Sequence, residues 1–208
     1  MEHAKQLIQL IHEENRNDAV RLAIQMLQEQ EVSVVELYET ILAKALQEID
    51  CAEGDKECIW KEHIETSIVR TIVENSYPYL IETIEQVPKK QKLVIVLCPE
   101  EEYHEIGARM AHDFFLLHGY EAVFIGANTP KDVAMDAIEI LKPDYLAISV
   151  TNMYNVVHAK RIVQAAKALQ PNLRILAGGV AFYNRNALEA VEADYHLTTF
   201  SSIAGVDD

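Results

Sequence analysis

The chain has 208 residues, half of them apolar, and a formal net charge of −15. That length suits one large domain or two small ones, and the acidity repels phosphate backbones, so direct nucleic-acid binding is not expected. No apolar run reaches the roughly 18 residues of a membrane span, and Met1-Glu2-His3-Ala4-Lys5 lacks the charged-then-apolar layout of a secretory leader, so the expected location is the cytoplasm, away from membranes.

Residues 1–88 hold 18 acidic and 7 basic residues (net −11), while the other 120 hold 15 and 11 (net −4). The simplest meaning of that acidity is solubility. Cys51, Cys58 and Cys98 are scattered, form no Cys-x-x-Cys pair for zinc, and read as reduced structural thiols.

The first 88 residues read as a small helical bundle. A helix over residues 4–13 carries Leu7, Ile8, Leu10 and Ile11; a second over residues 18–29 carries Ala19, Leu22, Ala23, Met26 and Leu27 on one stripe. A third starts at Ser33, where Ser33-Val34-Val35-Glu36 spells a capping box. Its stripe runs on through Tyr38, Ile41, Leu42, Ala45 and Ile49 until residues 50–56 break the pattern. A fourth helix is predicted from about residue 57 to 75, and a short fifth after Pro78.

Residues 86–91, with Pro88 and two lysines, read as a linker, dividing a helical unit (1–88) from a second unit (89–208). Beyond it strands and helices alternate. Residues 93–98 are continuously apolar, as a strand buried on both faces would be. The spacing then predicts a helix over 103–118, a strand over 122–125, and a helix to 141 opened by Thr129-Pro130 as N-cap and first residue. Strands at 145–150, 174–177 and 195–197 follow, with helices over 156–169 and 186–191 between them. The fold class is α/β, Rossmann-like (flavodoxin-like), with five parallel strands preceded by an all-α bundle. Ligands of such sheets sit beyond the carboxyl ends of the strands, so the loops at 98–107, 126–130, 150–155 and 178–184 share one face. Residues 198–208 look too short for a closing helix. A bare apolar face there would favour association, so a homo-oligomer is expected.

Three signals fall on those loops: Glu102-Tyr103-His104-Glu105-Ile106-Gly107 after the first strand, Ser149-Val150-Thr151 ending the third, and Gly178-Gly179 ending the fourth. A histidine beyond a strand end can project into the ligand crevice. To ligate a metal it must be neutral, with one ring nitrogen free. A carboxylate two residues earlier can accept a hydrogen bond from the other nitrogen, fixing the tautomer and raising ligand basicity. Gly107 lets another group approach the first helical turn, and Ser149 is positioned to support the carboxylate. His112 and His118 stand six residues apart, on different helix faces, and make a poor ligand pair. Glu105 and Asp113 read as solvated charges. No Gly-x-Ser-x-Gly, P-loop or Gly-x-Gly-x-x-Gly is present.

These signals, in this order and spacing, resemble the cobalamin-binding domains of the base-off, His-on type: Asp/Glu-x-His-x-x-Gly, then Ser-x-Leu or Ser-x-Thr, then Gly-Gly. The resemblance implies cobalamin (adenosylcobalamin or methylcobalamin) as cofactor, with His104 as the metal ligand on the lower face of cobalt. It implies that Glu102 and Ser149 form the relay behind His104, and that the displaced nucleotide tail passes Ser149, Thr151, Gly178 and Gly179, with Tyr183 in reach. It also implies that the helical unit covers the upper face of the corrin.

In one branch, the cobalamin-dependent photoreceptor regulators, that bundle carries Trp-x9-Glu-His. Glu62-His63 matches its end, with His63 on a helix face with Trp60, Ser67 and Thr71, and would contact the upper ligand. The tryptophan position holds Ala52, however, and Glu53 follows it. Two uses of the cofactor follow. A sensory or regulatory module, resembling that branch through Glu62-His63 and Glu102, would need a protein partner. A corrinoid methyl carrier would serve separate methyltransferases. The sequence leans to the sensor, and in either case the chain need not be a complete enzyme.

Overall fold

The computed structural model describes residues 2–49 and 56–206. The chain divides into two compact units, Met1–Gln86 and Val87–Asp208.

In the first unit, helix α1 (Glu2–His12) is followed by α2 (Arg16–Gln28), capped by the Asn15 side chain. Helix α3 spans residues 34–47. Its capping box forms as the sequence predicts, with Ser33 and Glu36 each bonding the other's backbone N–H. Its middle, Leu37–Leu42, is a π-helical stretch that turns Leu37, Tyr38, Ile41 and Leu42 all inward. Helix α4 runs unbroken from Lys56 to Ile84, straight through Pro78. The predicted break is therefore absent. An interior proline costs about 3 kcal/mol, but Ile72, Val73, Ser76 and Leu80 on either side of it are buried. Burying each large apolar side chain is worth about 1.5–3 kcal/mol, so the stripe carries the helix past the proline. Cys58 is disulfide-bonded, which corrects the expectation that all three cysteines are reduced; Cys98 is a free buried thiol.

The second unit is a five-stranded parallel sheet in the order β2-β1-β3-β4-β5, with strands β1 (Leu93–Pro99), β2 (Glu121–Thr129), β3 (Tyr145–Ser149), β4 (Arg174–Gly178) and β5 (Tyr195–Leu197). The crossovers are α5 (Ile106–Leu117), α6 (Lys131–Leu141), α7 (Val156–Leu169) and α8 (Arg185–Val191). One face, through Ile95, Leu97, Leu146, Ile148 and Ile175, packs against α6, α7 and α8. On the other, Phe115 and Tyr145 meet Tyr120 edge-on.

Two local predictions change. Thr129 is the last residue of β2, paired with Pro99, and Pro130 takes the N-cap position of α6. A residue before proline is pushed to extended backbone, which favours strand over cap at Thr129. The helix after β1 begins at Ile106, not 103, leaving residues 100–105 as loop. Residues Phe200–Gly205 form a short 3-10 helix that packs on α5 and buries Ile203, and Val206 after it is buried as well.

Strand order decides where a ligand can sit. From β1 the chain crosses to β2 on one side, while β3 lies on the other. The loops after β1 and β3 therefore part from each other and leave a crevice at the carboxyl edge.

Candidate functional site

The loop after β1 carries Glu102 and His104 to that crevice. Glu102 is fully buried (0% exposed), whereas the His104 side chain is 49% exposed. Glu102 Oε1 lies 2.5 Å from His104 Nδ1 and also accepts the His104 backbone N–H at 3.1 Å. Oε2 accepts the backbone N–H groups of Thr151 (3.0 Å) and Asn152 (2.9 Å) and the Asn155 side-chain amide (3.2 Å).

Burial alone would push the Glu102 carboxyl up. The hydrogen bonds from the His104 ring, the Asn152 and His104 backbone and the Asn155 amide outweigh it and bring the group down to about 2. The site therefore holds a permanent buried anion against a half-exposed imidazole. With Nδ1–H donated to a carboxylate, the neutral ring carries its lone pair on Nε2.

The remaining predicted residues sit along the same edge. A side chain at Gly107 would meet nothing within 4 Å, so the first turn of α5 borders open space. Ser149 and Gly178 are register partners at the ends of β3 and β4. Gly179 has φ +98°, and a Cβ there would lie 2.3 Å from the Val150 carbonyl oxygen. Its glycine is thus demanded by the chain's own backbone. Tyr183 is exposed, bonds the Thr198 carbonyl through its hydroxyl (3.0 Å), and meets the His196 ring edge-on.

Ser149 forms no hydrogen bond to Glu102; both carboxylate oxygens are taken by the donors above. The residues the sequence reading misses are Asn152 and Asn155. Asn152 Oδ1 accepts the Tyr154 N–H (3.0 Å), an Asx turn that starts the 3-10 segment Met153–Asn155. Two asparagines three apart after a strand were the available signal. Glu105 and Asp113 are also corrected. Glu105 accepts the Ala127 N–H (3.2 Å), and Asp113 is fully buried against His112 Nδ1 (2.8 Å). Glu62 is half-buried and His63 exposed, both on α4 of the first unit; Ala52 and Glu53 lie outside the described residues.

A parallel sheet with a carboxylate-held histidine at its switch point defines a ligand-binding α/β protein. The family model described as the B12 binding domain matches residues 92–200, more than half of the chain, and the chain belongs to that family. Two solved structures share its fold. The Methanosarcina barkeri monomethylamine corrinoid protein is 17% identical, with a TM-score of 0.76 over 97% of this chain and 95% of that one. A cobalamin-binding protein from Desulfitobacterium hafniense DCB-2 is 16% identical, with a TM-score of 0.54 over 98% and 96%. At these identities the likeness is one of fold. Comparison with curated proteins finds no match. Among the described residues no helix is long and apolar enough to cross a membrane.

Proposed function

We propose that this chain holds cobalamin base-off, with His104 Nε2 as the lower axial ligand and Glu102 behind it. The observation that carries this reading is the 2.5 Å contact between a fully buried carboxylate and Nδ1 of a half-exposed ring. That pairing is how proteins orient a histidine toward a metal. Among the described residues no group of three or more His, Cys, Asp or Glu side chains is arranged to hold a metal ion. A single oriented histidine suits a metal that arrives already enclosed in a larger ligand.

The open space at Gly107 fits a group standing over the first turn of α5. His196 Nε2, beside Tyr183, is buried with no hydrogen-bond partner. A polar group of the nucleotide tail would satisfy it, which supports contacts along Ser149, Thr151, Gly178, Gly179 and Tyr183. When bound, the cofactor supplies the reactive cobalt; the chain binds it, orients it and tunes its lower ligand.

Between the two uses, the reading that fits best is a corrinoid methyl carrier that works with separate methyltransferase partners and binds methylcobalamin. Its support is a fold shared with a corrinoid protein along nearly the whole chain, helical unit included. The sensory alternative keeps Glu62 and His63 in its favour. The test is reconstitution with cobalamin, reduction to cobalt(II), and electron paramagnetic resonance on protein carrying isotopically labelled histidine. A change in the axial nitrogen splitting with the label is expected; an unchanged splitting, or no binding, refutes the histidine ligand. For the use, methyl transfer to or from the loaded protein by an added methyltransferase supports the carrier. A light-dependent change in molecular size without transfer supports the sensor.

A further inference from the structure

We propose that Asn155 is the positioning residue that fixes Glu102, and through it His104, in place of Ser149. This rests on the cobalamin reading above. A carboxylate that is 0% exposed must have its oxygens satisfied by the protein. Four of the five donors around Glu102 are not substitutable as hydrogen-bonding side chains without losing the site itself: three are backbone N–H groups and one is the His104 ring. The fifth is the Asn155 amide.

That amide does two things at once. Its nitrogen donates to Glu102 Oε2 (3.2 Å) and to the Glu101 carbonyl oxygen (3.1 Å). Two hydrogens meet two acceptors on successive residues, so both the carboxylate and the backbone that carries it are tied to the turn after β3. Asn155 is itself only 4% exposed, and its own N–H bonds the Asn152 carbonyl at 2.9 Å. The same turn shows the opposite character one residue earlier: Tyr154 is 87% exposed and Met153 is also exposed. Residues 152–155 thus grip the ligand carboxylate from inside and offer apolar surface outside. A serine hydroxyl at 149 supplies neither hydrogen bond.

Orientation is what such a partner contributes. A ligand-presenting geometry is needed within about 0.5 Å and 10–20°, and loss of a partner of this kind typically costs 10–100-fold in metal affinity.

The experiment uses the full chain with Asn155→Ala, Asn155→Asp and Ser149→Ala, each titrated with cobalamin and then examined in the cobalt(II) state with labelled histidine. Circular dichroism and thermal melts check folding. Asn155→Ala is expected to bind about 10–100-fold more weakly and to lose part of the histidine-dependent splitting. Asn155→Asp, which sets a second carboxylate against Glu102, should lose more. Ser149→Ala removes a contact to the nucleotide tail and weakens binding, but the histidine-dependent splitting of its bound form should match wild type. Should the alanine variant not fold, Asn155→Ser keeps a short donor, and an affinity between those of wild type and the aspartate variant is expected. Wild-type affinity and splitting in the Asn155 variants, or a loss of splitting in Ser149→Ala as large as theirs, overturns the proposal. If wild type itself shows no histidine-dependent splitting, the cobalamin reading falls and this inference with it.

Discussion

The carboxyl edge of the sheet and the exposed face of α4 both carry a Glu and a His close in sequence, and they are built in opposite ways. At the sheet edge, Glu102 is buried, His104 leans on it, and donors from residues 104, 151, 152 and 155 converge on one carboxylate. On α4, His63 is exposed, Glu62 is half-buried, and neither side chain forms a hydrogen bond to another described residue. A pre-set site needs groups from separate loops to meet around something that cannot face water. A single helix face supplies neighbours but no such demand, so its side chains are free to turn.

That contrast is sharpest at His104. His104→Ala should abolish the histidine-dependent splitting of the cobalt(II) form outright; cobalamin bound with its own base on cobalt would then be the most the variant can show. A retained splitting would move the site elsewhere.

Next in size is Gly179→Ala. Positive φ costs a side-chain-bearing residue about 1–3 kcal/mol, and the new methyl would also strike the Val150 carbonyl oxygen at 2.3 Å. A loss of about 4 kcal/mol is expected, in the range that marks a broken backbone feature. A denaturant midpoint equal to wild type would mean that this edge is more compliant than its backbone implies.

Acid comes third. Hydrogen bonds hold the Glu102 carboxyl down to about 2 in the folded chain, against an ordinary value of about 4.5. Its carboxylate therefore favours folding, fully above about 4.5, less as pH falls toward 2, and not at all below that. Apo protein should lose that stability through this window, whereas Glu102→Gln should show a flatter profile there in urea unfolding at each pH. Identical slopes would remove Glu102 from the acid response.

The strand pattern was legible because β1 and β3 are central and buried on both faces, which writes continuous apolar runs into residues 93–98 and 145–148. The pairing of Glu102 with His104 was legible because the histidine and the carboxylate that bonds it lie two residues apart on one loop. Asn155 was not, since its link to Glu102 spans 53 residues and depends on which strands are neighbours. The unbroken α4 was hidden for a related reason. Local rules see Pro78 and stop, while the buried residues on both sides of it act only after the bundle has formed. Gly179 was read as room for a ligand tail, yet the structure shows a nearer cause in Val150, a contact that no spacing rule reports.

The smallest expected effect tests the other half of the comparison. His63→Ala removes an exposed side chain with no hydrogen bond to another described residue. Surface substitutions of that kind stay within about 0.5 kcal/mol, so cobalamin affinity should change by no more than about 2–3-fold, and the lower-ligand splitting should not change at all. Dark and illuminated absorbance spectra of the loaded wild type and variant give the discriminating readout. A carrier has no use for His63 in either condition, so the pairs of spectra should superimpose. If illumination alters the wild-type spectrum and His63→Ala removes that change, Glu62-His63 participates in a light response despite Ala52 at the tryptophan position. The helix face would then be a second functional site, one whose order comes from the cofactor rather than from the chain.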